Sequence, residues 1–129
     1  MMKFHHIGYL TTNFKSSVKE FGLINYLKKG RLINDKLLKV KIQFIQNSNS
    51  IIELVKPYKN NYGLNKIAKR KNYAYHFAYK VNNLNKSIKK LKGNKFIVLV
   101  NPVPAKAFNN KKVAFLKMKN DFIIELIES

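Results

Sequence analysis

The chain has no cysteine. This excludes disulfide staples, thiolate metal sites and cysteine nucleophiles at once, so any bound metal must use nitrogen and oxygen ligands. Long apolar runs are missing too. None approaches the roughly 20 residues that a bilayer-spanning helix needs, and residues 1–10 lack the charged-then-apolar layout of a signal peptide. The expected address is the cytoplasm, with no membrane partner. Acids are the third scarcity: six Asp and Glu stand against 26 Lys and Arg, for a formal net charge of +20.

Taken alone, that charge points to a polyanion. Its make-up points elsewhere. Apart from Arg31 and Arg70 every one of these bases is a lysine, spread among asparagines along the whole chain. Base readout favours the planar fork of arginine, so the excess reads as solvated surface and no nucleic-acid partner is expected. At 46% hydrophobic and 25% charged residues the composition is that of a folded protein. A length of 129 residues fits one domain, because two would each be short of a core.

What the chain does contain is written twice. Phe4-His5-His6-Ile7-Gly8-Tyr9-Leu10 has a counterpart in Ala74-Tyr75-His76-Phe77-Ala78-Tyr79-Lys80, each with a histidine followed two positions later by a small residue. His6 and His76, 70 residues apart, are the matched pair. Helical patterns follow, with Phe14, Val18 and Phe21 in the first half and Leu84, Ile88 and Leu91 in the second, spaced to share one helix face. Asn13 or Thr12 and Asn82 or Asn83 are the candidate caps, and Gly22 and Gly93 the expected stops. Each half closes on nearly the same strand, Ile51-Ile52-Glu53-Leu54-Val55 and Ile123-Ile124-Glu125-Leu126-Ile127.

Between helix and last strand, Leu37 to Phe44, Phe96 to Val100 and Lys112 to Met118 read as strands, while Asn101-Pro102-Val103-Pro104 should be a loop. Module one is therefore expected over residues 1–58, a linker over 59–72 with a short helix at Leu64 to Arg70, and module two over 73–129.

Glu53 and Glu125 sit at the centres of the most hydrophobic strands. A carboxylate among Ile, Leu and Val costs several kcal/mol in lost hydration unless a cation or donors meet it. His6 shares a strand face with Gly8, and His76 with Ala78, which leaves room on that side. If the halves pair about a pseudo-twofold axis, His6, Glu53, His76 and Glu125 form a two-nitrogen, two-oxygen shell for one divalent ion, Zn, Ni, Co, Mn or Fe. A lone strand histidine or glutamate is ordinarily a packing or edge residue. Recurrence of both at His-to-Glu spacings of 47 and 49 residues separates these from that background. His5 points away from His6 and reads as a packing or surface residue.

With these residues in hand, the chain resembles the vicinal oxygen chelate superfamily, which includes glyoxalase I, methylmalonyl-CoA epimerase, extradiol dioxygenases and the fosfomycin and bleomycin resistance proteins. The resemblance rests on His5-His6-Ile7-Gly8, Ile52-Glu53-Leu54-Val55-Lys56-Pro57, His76-Phe77-Ala78-Tyr79-Lys80-Val81 and Ile124-Glu125-Leu126-Ile127-Glu128, in that order. It implies an α+β fold of two βαβββ modules forming an incomplete barrel, often as a homodimer, with metal ligands at His6, Glu53, His76 and Glu125. Asn101 to Phe108 and Val113 to Leu116 look most like the epimerase branch. Val18 to Gly22 lacks the Phe-Tyr pair common there, and Lys119-Asn120-Asp121-Phe122 replaces the usual Asp-Pro-Asp-Gly turn.

The implied activity is that of a metal-dependent epimerase or isomerase, abstracting a proton next to a carbonyl through a metal-stabilised enolate. Glu125 is then both ligand and base, and Asp35 the weaker candidate for a second base against its reading as a turn residue after Asn34. The substrate implied is a small molecule, an acyl thioester or, for a lactoylglutathione lyase, a glutathione adduct. A non-catalytic resistance-type binding protein is the rival from another class.

Overall fold

Phe14, Val18 and Phe21 do fall on one face of a helix, α1 (Phe14–Gly22), and that face packs on Ile45, Ile52 and Leu54. The second trio does the same from α3 (Leu84–Gly93), where Leu84, Ile88 and Leu91 join Val81, Ala114, Leu116 and Leu126. Leu84 is buried and the other five are partly buried, so each of those five contributes less than the about 1.5–3 kcal/mol of full burial, and helix and strands in each half still depend on one another. The computed structural model describes residues 2–129. It divides into two compact units, His6–Tyr75 and His76–Ser129, the latter taking in the chain's start as far as His5.

In the first half the elements run β1 (Lys3–Leu10), α1, β2 (Leu27–Asp35), β3 (Val40–Asn47) and β4 (Ser50–Pro57). The strands lie in the order β2-β3-β4-β1, with β1 parallel to β4 and the others antiparallel. α2 (Tyr62–Lys69) follows in the expected linker, beginning two residues earlier than expected because Asn61 accepts from the Leu64 amide. In the second half β5 (Ala74–Val81), α3, β6 (Ile97–Pro104), β7 (Lys112–Lys117) and β8 (Ile123–Glu128) repeat the plan, with a 3-10 turn at Lys106–Phe108. Their order is β5-β8-β7-β6, and β5 runs parallel to β8. The fold class is α+β, built of two βαβββ modules.

The capping asparagines are Asn13 and Asn83, whose side chains accept from the amides of Ser16 and Lys86. Both helices stop at the expected glycines, Gly22 and Gly93, and the left-handed residues that follow are Asn25 and Lys95, both at φ 71. Two expectations need correction. The strand expected from Leu37 begins at Val40, because residues 36–39 form the β2–β3 turn and Leu37 is exposed. Asn101-Pro102-Val103-Pro104 is part of β6. β6 ends its module's strand order, and its register slips between Val98 and Val100 and between Val100 and Val103, so the prolines break no continuous ladder.

A candidate metal centre in two matched halves

β1 and β4 lie side by side with Gly8 level with Glu53. Side chains level with one another in a sheet share a face, and His6 lies on that face two residues back from Gly8. With no side chain at Gly8, the Glu53 carboxylate can lean along the sheet toward the imidazole, and its Oε1 stands 3.5 Å from His6 Nε2. The second half repeats this with Ala78 level with Glu125 and only a methyl group between. There Glu125 Oε1 is 3.1 Å from His76 Nε2. The four side chains are buried, His6 and His76 at 0% exposure, Glu53 at 4% and Glu125 at 2%.

Both distances suit two ligands of one ion. Ligands roughly 2.0–2.2 Å from a metal, at tetrahedral to octahedral angles, stand about 2.8–3.6 Å apart. Imidazole nitrogen with carboxylate oxygen is a donor set for Zn²⁺ and its first-row neighbours, and no thiolate competes. Two protein ligands are half of what a four-coordinate ion takes, and each module carries one such pair. His6 and Glu53 in the first unit, and His76 and Glu125 in the second, are buried residues of the types that could hold a metal ion.

Asp35 is placed differently. It is 1% exposed, and its Oδ1 accepts from the amides of Leu37 and Leu38 at 3.1 and 3.0 Å, closing the β2–β3 turn. His5 is half-buried, its ring edge-on to Phe108 at 5.5 Å. Sequence reasoning missed two residues beside the histidines. Phe44 lies level with Glu53 across β3 and β4, and Phe115 level with Glu125 across β7 and β8. The signal was available, since each phenylalanine precedes its glutamate by nearly the same interval, nine and ten residues.

Residues 5–115 match the family model of the glyoxalase/bleomycin resistance protein/dioxygenase superfamily. A hypothetical protein of Bacillus halodurans C-125 is similar in structure, at 25% identity and a TM-score of 0.84, over 99% of this chain and 94% of that one. Methylmalonyl-CoA epimerase from Mycobacterium tuberculosis matches over 98% of this chain and 87% of its own, at 14% identity and a TM-score of 0.82. A Streptomyces coelicolor methylmalonyl-CoA epimerase variant, in complex with 2-nitronate-propionyl-CoA, matches over 100% of this chain and 98% of its own, at 15% identity and a TM-score of 0.82. None of the curated proteins compared with the chain matches it.

Proposed function

Because the chain belongs to the glyoxalase/bleomycin resistance protein/dioxygenase superfamily, we propose that its two His–Glu pairs together hold one divalent metal ion in an enzyme that moves a proton next to a carbonyl group. The observation that carries this is the repeated pair itself, two buried carboxylates each within ligand distance of a buried imidazole. When bound, the ion would supply a Lewis acid for the substrate's carbonyl oxygen, worth several kcal/mol to charge developing there.

The chain's own residues do the rest. His6 and His76 would hold the ion through Nε2, and Glu53 would balance its charge from the first module. Glu125 is the proposed base, taking the proton from the carbon beside the carbonyl and returning it. Its burial removes the water that would otherwise compete for that proton. Asp35 enters as the weaker candidate for a second base. Asp35→Asn keeps an acceptor for the two turn amides, so loss of epimerisation at an unchanged melting temperature supports the base role. A lowered melting temperature alone supports the turn role.

The substrate class proposed is an acyl thioester of the methylmalonyl-CoA type, supported by the structural likeness to epimerases that bind such esters. The test is deuterium incorporation at the α-carbon of methylmalonyl-CoA and simpler acyl thioesters by the metal-loaded protein, beside a Glu125→Ala control. Exchange above the control is expected, and exchange equal to the control contradicts the proposal. Turnover confined to the methylglyoxal–glutathione adduct would reassign the chain as a lactoylglutathione lyase. Tight ligand binding that survives metal removal, without exchange, would make it a binding protein of the resistance type.

A further inference from the structure

Each His–Glu pair has a third member. Phe44 on β3 stands directly across from Glu53, and Phe115 on β7 directly across from Glu125. Directly opposed residues of an antiparallel pair project from the same face with Cβ atoms about 5 Å apart, so each ring lies over the face that carries the histidine and the glutamate. The rings meet the imidazoles in the same way in both halves. Phe44 and His6 have ring centroids 5.8 Å apart with planes at 81°, and Phe115 and His76 are 5.6 Å apart at 83°. Both phenylalanines are only half-buried, whereas the histidines and glutamates are sealed.

A histidine needs such a neighbour if it is to present one nitrogen. Rotation about χ2 is broad and roughly two-fold, so the side chain's own torsional preference does not decide which ring edge faces the glutamate. A perpendicular aromatic ring adds an orientation-dependent contact and offers no carbonyl or hydroxyl that would draw a nitrogen away from the carboxylate. Leucine or isoleucine would satisfy the apolar pattern of these strands equally well, yet a phenylalanine stands opposite the glutamate in both modules.

We propose that Phe44 and Phe115 are positioning residues, holding the imidazoles of His6 and His76 with Nε2 toward Glu53 and Glu125 and so pre-forming each half of the metal centre. The link to metal binding rests on the proposed function above, whereas the orientation of the rings does not.

The experiment uses the full chain labelled with ¹⁵N in its histidines, as wild type, Phe44→Leu, Phe115→Leu, Phe44→Tyr and Phe115→Tyr. In metal-free protein the leucine variants are expected to broaden or double the ring signals of the histidine they touch, and the tyrosine variants to keep single sharp signals. Titration with Co²⁺ is expected to show affinity weakened about threefold to tenfold in each leucine variant and recovered in the matching tyrosine variant. Ring signals unchanged and Co²⁺ affinity within about twofold of wild type would overturn the proposal, even if the melting temperature fell, since the phenylalanines would then be packing alone. If wild type takes up no Co²⁺, the metal reading fails by itself. The metal-free ring signals then decide the positioning role, doubled signals upholding it and single ones overturning it.

Discussion

Replacing Glu125 by glutamine keeps the side chain's shape while removing its charge and its ability to take a proton. The expected outcome is α-proton exchange slower by about 10²–10⁴, with weaker metal binding, measured by mass spectrometry of the recovered thioester and by metal titration. Glu53→Gln should weaken the metal as well, yet retain exchange once the protein is saturated. The difference between the two variants is what separates ligand from base. His6→Ala and His76→Ala should each weaken metal binding in the same titration, and affinity unchanged in both would mean that His6 and His76 are not its ligands. At this scale the sequence was informative because chemistry repeats: a histidine, a small residue two positions on, and a glutamate centred in an apolar strand recur in the same order. The phenylalanines were less legible. Their repeated interval before the glutamates is in the sequence, but only register shows that each lies level with its glutamate.

Elements fix these residues, and their ends are open to direct test. Asn13 and Asn83 each cap a helix through a side-chain oxygen accepting a backbone amide. Asn13→Ala and Asn83→Ala should each lower stability by about 1 kcal/mol in denaturant titration, with effects that add, because the caps lie in separate modules. Lys95 holds φ 71 just after α3, a conformation that a Cβ disfavours. Lys95→Gly should therefore raise stability by about 0.5–1 kcal/mol, and a loss instead would mean that the lysine side chain makes a compensating contact. The helices and the two glutamate strands were readable from period alone. β2 was not: Leu27-Lys28-Lys29-Gly30-Arg31-Leu32 neither alternates nor buries a face, and Gly30 sits at φ 75, so partner strand β3 supplies what the local sequence does not. β6 misled for the opposite reason. Its prolines signal a loop, yet at the end of a strand order they interrupt no central ladder.

For the whole molecule, what is left at the surface is an excess of basic charge and some exposed apolar side chains. Asp35, Glu53 and Glu125 are buried, so only Glu20, Asp121 and Glu128 remain to offset 26 basic residues. Among the described residues no helix is long and apolar enough to cross a membrane. A field of that sign should speed capture of an anionic thioester. Raising ionic strength from about 20 to 300 mM should raise KM for a CoA ester several-fold while leaving kcat and the KM of a neutral thioester little changed. The terminal strands expose apolar side chains in both modules, Leu27 and Leu32 on β2, Ile97 and Leu99 on β6. A homodimer would cover some of them, and sedimentation should report twice the 15.1 kDa chain mass.

The most direct measurement is the metal content of protein purified without a histidine tag, wild type beside the His6→Ala, Glu125→Ala double variant, each with its thermal unfolding recorded before and after chelation. About one equivalent of divalent metal per chain in the wild type, absent from the variant and removed by chelator with a fall in melting temperature, is the expected result. A wild type that stays empty after incubation with Zn²⁺, Ni²⁺, Co²⁺ and Mn²⁺ would contradict the metal centre and make a metal-free binding protein the better account.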